Sequence, residues 1–183
     1  MKRREVLKKV ATVAGSAAVT PTILSLLQSC QSEDRLSWTP RFLSPGQAQF
    51  VSSFVDTVLP ATDTPGALDV KADMFIDLVY SKLFDEEGQK MVSREIEALN
   101  NECIKQFGDV YADLDIDKKK EFLSVKEKQD AKFNRGVWGT AVGEQKPVGY
   151  YRSLKSMTLW AYFSSEEVGK NILNYDPVPG TYQ

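Results

Sequence analysis

Apolar residues along the chain recur at helical spacing, in stretches parted by proline, glycine and small polar clusters. After Ser44, the series Phe50, Val51, Phe54, Val55, Val58 and Leu59 marks one stripe of an amphipathic helix. Ser44-Pro45 supplies an N-cap and a proline at the first helical position, Gln47 stands at the capping-box place, and Pro60 ends the run. Met74, Phe75, Leu78, Val79 and Leu83 predict a second helix. Val92, Ile96, Leu99, Cys103 and Phe107 predict a third, from about Glu86 to Phe107, with Gly108 as its stop. Asp115 or Asp117 can cap a lysine-rich helix holding Phe122, Leu123 and Val125, and the charges of Lys118 to Lys120 and Glu121 read as its solvated face. Asn134 to Gly149 reads as a glycine-rich loop, and Tyr150 to Phe163 as the last clear helix. Pro177 and Pro179 forbid helix in the tail NILNYDPVPGTYQ, which must be extended. No alternating run of strand length stands out. The pattern predicts an all-α fold, a compact bundle of about five to six helices with long loops and an extended C-terminal tail.

The first thirty residues stand apart. Lys2, Arg3, Arg4, Lys8 and Lys9 form a positive segment, and Val10 to Leu27 is apolar but diluted by Gly15, Ser16, Thr20, Pro21 and Ser25. A spanning helix wants about 20 strongly apolar residues, so this stretch reads as a removable address. Arg3-Arg4 resembles the twin-arginine signal, read by a translocase that exports folded proteins, although Lys2 and Val6 depart from its usual pattern. Leu27 to Cys30 resembles a lipobox, in which Cys30 would be lipidated and become the first mature residue. The expected organisation is a signal over 1–29, a tether over 30–43 and a helical domain over 44–183. It implies the periplasmic side of a cell envelope, with a lipid anchor.

Charge and composition then narrow the chemistry. The chain has 23 basic and 25 acidic residues; residues 1–29 hold five of the basic and one of the acidic, leaving 18 against 24, a formal −6. Nucleic acid is therefore not an expected partner, because phosphate neutralisation needs a basic face. There is no histidine and there are two cysteines, which removes the commonest general base, the commonest metal ligand and every Cys-x-x-Cys-His haem site. If Cys30 is lipidated, Cys103 is expected as a buried free thiol; otherwise a Cys30–Cys103 bridge is open to it. Asp69, Asp73 and Asp77 fall at i, i+4 and i+8. A helix would align them as ligands for a hard cation or, more simply, as a solvated face beside the Met74–Leu78 stripe. No catalytic set, metal site or cofactor site is expected in this chain.

Three segments exceed what a plain bundle needs. In Thr62-Asp63-Thr64-Pro65-Gly66, Pro65 and Gly66 suit the central positions of a type II turn, and Asp63 can accept from amides ahead of it. The tail Tyr175-Asp176-Pro177-Val178-Pro179-Gly180 resembles a polyproline-like strap. Trp138, Tyr150, Tyr151, Trp160, Tyr162 and Phe163 are expected mostly in the core, with some left as an anchor for a partner. The loop and the tail are the candidate partner-docking elements.

VLPATDTPGALDVKADMFIDLV, from Val58 to Val79, and WAYFSSEEVGKNILNYDPVPGTY, from Trp160 to Tyr182, resemble the two signature segments of the gluconate 2-dehydrogenase subunit 3 family. Phe163-Ser164-Ser165-Glu166 departs from the family's usual Gly-Tyr-Tyr-Thr-Ser-Glu run. The resemblance implies a small, non-catalytic subunit without its own cofactor, in a membrane-associated dehydrogenase. Its implied partners are an FAD-bearing large subunit of the glucose–methanol–choline type and, in some complexes, a haem-bearing cytochrome c subunit. A twin-arginine leader on the small subunit would carry the folded, signal-less flavoprotein through the translocase. A different class of reading, a free-standing envelope lipoprotein acting as a binding module, needs no such partner.

Overall fold

The computed structural model describes residues 38–130, 136–137, 140–141 and 148–173. Six α-helices lie among them: α1 (Pro45–Val58), α2 (Ala72–Leu83), α3 (Glu86–Phe107), α4 (Ile116–Gln129), α5 (Tyr150–Phe163) and α6 (Glu166–Asn171), with a 3₁₀ turn at Tyr111–Asp113 between α3 and α4. The class is all-α. In the stretch expected as a loop, β1 (Gly136–Val137) and β2 (Thr140–Ala141) pair antiparallel, too short to change that class.

Helix α1 starts with the predicted reciprocal cap: Ser44 Oγ accepts from Gln47 N–H at 3.3 Å, and Gln47 Oε1 accepts from Ser44 N–H at 3.0 Å. It buries Ala48, Phe50, Val51, Phe54 and Val55, and it touches α2, α3, α4, α5 and the 3₁₀ turn, so it is the centre of the bundle. Asp85 and Asp115 cap α3 and α4, accepting from Gly88 N–H at 2.8 Å and Lys118 N–H at 3.0 Å. Gly108 closes α3 with φ 91°, the left-handed conformation that favours glycine. Around Tyr111 the core is aromatic, with ring centroids of Phe50, Phe122 and Phe54 at 5.2, 5.9 and 6.4 Å.

Two elements differ from the sequence expectation. Helix α2 is present, but its buried face is Ala72, Asp73, Ile76, Asp77, Val79 and Tyr80, while Leu78 and Leu83 are exposed. Two carboxylates occupy core positions, so a reading that turns acids outward rotates the helix the wrong way. Beyond Phe163, where the sequence reading ends the last clear helix, α6 is a further short helix capped by Ser165 Oγ, with Glu166 and Glu167 in its first turn, where acids suit the helix dipole. The folded unit runs from Pro40. Arg41, Phe42 and Leu43, read as the end of the tether, are thus part of it.

Helices α4 and α5 are joined by one carboxylate. Glu127 accepts from Arg152 Nη1 at 2.6 Å, Lys155 Nζ at 2.8 Å and Tyr151 Oη at 2.9 Å, and Arg152 also donates to the Glu127 carbonyl. Hydrogen bonds from Lys155, then Tyr151 and Arg152, hold the Glu127 carboxyl at about 2 against an ordinary 4.5. A depressed folded value means stability that is present above pH 4.5 and lost as pH falls towards 2. Discounted for the side chain's partial exposure, the brace stabilises by about 1 kcal/mol. Glu127→Gln is therefore expected to lower the melting temperature by roughly 3 °C at pH 7. In thermal melts at stepped pH the gap to the parent protein should close between pH 4.5 and 2; a gap constant with pH would contradict the assignment.

Candidate functional site

The loop between α1 and α2 is held by hydrogen bonds within it and by one from α5. Ala67 N–H donates to Leu59 O at 2.8 Å, closing the loop at its neck, and Ala72 N–H donates to Ala67 O at 2.9 Å. Asp69 Oδ2 accepts from Gly66 N–H at 2.7 Å, so Asp69 is the carboxylate that caps this turn. Thr62 N–H donates to Thr64 O at 3.0 Å. From the far end of the chain, Tyr162 Oη donates to Pro65 O at 2.9 Å. Thr62, Asp63 and Thr64 are exposed on this frame, Pro65 is half-buried and Gly66 is buried.

Gly66 differs from its predicted use. Gly108 is the positive-φ glycine among the described residues, so Gly66 does not take the left-handed position of a type II turn. It is needed for space: a Cβ there would lie 2.5 Å from Ala61 N and 2.9 Å from the Pro60 carbonyl carbon. Farther on, Lys71 takes a left-handed conformation with φ 58° at the start of α2, a strain of about 1 kcal/mol for a residue with a side chain.

The three aspartates do not form a solvated helical face. Asp69 precedes α2, whereas Asp73 and Asp77 are each 1 % exposed. Asp73 Oδ2 accepts from Ser52 Oγ at 2.6 Å, tying α2 to α1. Asp77 accepts from the amides of Arg41 (2.7 Å), Leu43 (2.9 Å) and Phe42 (3.1 Å), and so clamps the segment that leads into α1. Buried carboxylates survive because donors replace their water. Among the described residues no group of three His, Cys, Asp or Glu could hold a metal ion.

Of the aromatic group, Tyr151 and Tyr162 are buried, Tyr150 is half-buried, and Trp160 and Phe163 are about half exposed. The Trp160 ring packs edge-on against Phe75 at 5.0 Å, and Tyr162 against Phe163 at 5.3 Å. The end of α5 thus sits on the start of α2 beside the loop. The link from Tyr162 to Pro65 joins residues 97 apart, and no local signal announces it. Trp138, Tyr175, Asp176, Pro177, Pro179, Gly180, Arg3, Arg4 and Cys30 lie outside the described residues.

Reactive groups elsewhere are held in their neutral forms. Burial, reinforced by the Glu102 charge, pushes the Cys103 thiol up to about 12, so this buried free cysteine is not a nucleophile at neutral pH. The Tyr80 and Tyr150 hydroxyls lie 3.2 Å apart; burial raises Tyr80 to about 12 and Tyr150 well above its ordinary value. Among the described residues, these three groups are thus protonated at neutral pH. No described helix is long and apolar enough to cross a membrane.

The sequence model of gluconate 2-dehydrogenase subunit 3 matches residues 45–180, nearly the whole helical unit. Searches of curated proteins and of solved structures find no match. The chain belongs to the gluconate 2-dehydrogenase subunit 3 family.

Proposed function

We propose that the chain is the non-catalytic small subunit of a membrane-associated, flavin-dependent dehydrogenase of the gluconate or sugar type. Its task on this reading is to assist the export, maturation and anchoring of an FAD-bearing large subunit of the glucose–methanol–choline class. The observation that carries the proposal is the family match across residues 45–180. Supporting it, the loop before α2 presents Thr62, Asp63 and Thr64 on a frame braced by Asp69 and by Tyr162. FAD, and haem where a cytochrome c subunit is present, belong to the other chains. Arg3 and Arg4 would address the assembly to the twin-arginine translocase, and a lipidated Cys30 would hold it on the periplasmic side of the envelope. The loop Thr62–Gly66 and the tail Tyr175–Gly180 are the proposed docking elements.

The deciding experiment is a detergent pull-down of the tagged full chain from its native membranes, with an absorbance spectrum of the eluate. A large co-eluting chain with bound flavin is expected, its reduction by sugars or sugar acids then revealing the substrate. A colourless protein eluting alone would move the assignment to a free-standing binding module.

A further inference from the structure

Helices α2 and α5 run antiparallel and are pinned to each other at both ends. At one end Tyr162 Oη donates to Pro65 O at 2.9 Å, just before α2. At the other, the Tyr80 and Tyr150 hydroxyls meet at 3.2 Å. Between them the Trp160 and Phe75 rings pack edge-on at 5.0 Å. The loop is fastened to the first end of α2, through Gly66 N–H to Asp69 and Ala72 N–H to Ala67 O. The entry of the chain is fastened farther along. Asp77 accepts from the amides of Arg41, Phe42 and Leu43, and the Phe42 ring lies edge-on to Tyr80 at 6.1 Å. One helix thus carries two segments that are distant in the sequence.

The seam between α2 and its neighbours is partly polar. Asp73 and Asp77 are each 1 % exposed, and Asp73 reaches across to Ser52 on α1 at 2.6 Å. When such a seam parts, water re-solvates the carboxylates, so parting it costs less than parting an apolar seam of equal area. Proteins open in contiguous cooperative units along their weaker seams. We infer that the loop at Thr62–Gly66 and the entry segment at Arg41–Leu43 open and close as one cooperative unit, carried by α2. The aromatic cluster of Phe50, Phe54, Tyr111 and Phe122 joins α1 to the 3₁₀ turn and α4, and stays closed when this unit opens. Whatever grips the loop in its closed form then also holds the entry segment, because both ends share one closed state.

The test is amide hydrogen exchange on the full chain, perturbing one end of α2 and reading the other. Tyr162→Phe removes the hydroxyl at the loop end, and Leu43 N–H, bonded to Asp77 at 2.9 Å, reports the entry end. Asp77→Asn weakens the entry end, and Ala67 N–H, bonded to Leu59 O at 2.8 Å, reports the loop end. Each variant is expected to speed exchange at the far reporter about fivefold, the effect of one lost hydrogen bond on a shared opening. In the parent chain both reporters should exchange faster than the Val51 and Phe54 amides in the middle of α1. A far reporter that keeps the parent rate in either variant overturns the inference, since independent sites do not feel each other. Reporters that exchange only together with Val51 and Phe54 overturn it too, by making the opening that of the whole domain. If Asp77→Asn does not fold, Tyr162→Phe read at Leu43 decides alone. The exchange test needs no partner, so a failed pull-down leaves it standing; only the consequence for a docked flavoprotein rests on the subunit reading.

Discussion

Asp77→Ala is expected to destabilise the domain by about 3 kcal/mol, lowering the melting temperature by roughly 10 °C. The carboxylate accepts from three consecutive amides at 2.7, 3.1 and 2.9 Å, and hydrogen bonds to a charged acceptor are the stronger kind. Water can replace the carboxylate at Arg41, which is exposed, but not at Leu43, which is 4 % exposed. The Leu43 N–H would therefore be left buried without an acceptor, and a small cavity would open between α2 and the segment before α1. Asp77→Asn keeps one oxygen of the same shape and should lose about half as much. Hydrogen exchange supplies the independent readout: amides 41–43 should lose protection before the interior of α1 does. A melting temperature within about 2 °C of the parent would show that the clamp is not a stabilising feature. On the proposed anchoring at Cys30, Asp77 would fasten the start of the folded unit to the side of α2.

What was legible in the sequence was what is decided locally. Ser44 with Gln47, Asp115 and Gly108 announce their helix ends because a cap is a bond across three or four residues. The stripes of α1 and α3 were legible because every core position there is apolar. Helix α2 was found but turned wrongly, because Asp73 and Asp77 fill core positions and their donors lie 21 and 34 to 36 residues away. Helix α6 escaped because six residues hold too few apolar positions to show a period. The loop at residues 62–66 stood out by composition, yet the chemistry assigned to it was partly mistaken. Asp69 rather than Asp63 caps Gly66, and the glycine answers to crowding rather than to a left-handed turn. Crowding of this kind depends on where Pro60 and Ala61 come to rest, and no motif records that.

That crowding makes Gly66→Ala the sharpest probe of the loop. Both atoms a Cβ would strike are backbone, Ala61 N at 2.5 Å and the Pro60 carbonyl carbon at 2.9 Å, so no side chain can rotate aside. The loop must open at its neck, straining the bonds from Gly66 N–H to Asp69 and from Ala67 N–H to Leu59 O. Forced overpacking of this kind costs about 2 kcal/mol, a fall of roughly 6 °C in melting temperature. Tyr162→Phe is the milder companion: it removes the hydroxyl that holds Pro65 O at 2.9 Å and should cost about 1 kcal/mol. Stability and docking then separate by temperature. Well below both melting transitions the two variants are folded, but their loops present Thr62, Asp63 and Thr64 in a displaced or loosened frame. On the proposed docking of this loop, retention of a flavoprotein partner should fall in both, more steeply for Gly66→Ala. If Gly66→Ala melts with the parent protein, the close approach does not constrain the loop. If it melts early yet holds its partner fully in the cold, the loop braces the bundle and the partner docks elsewhere on the chain.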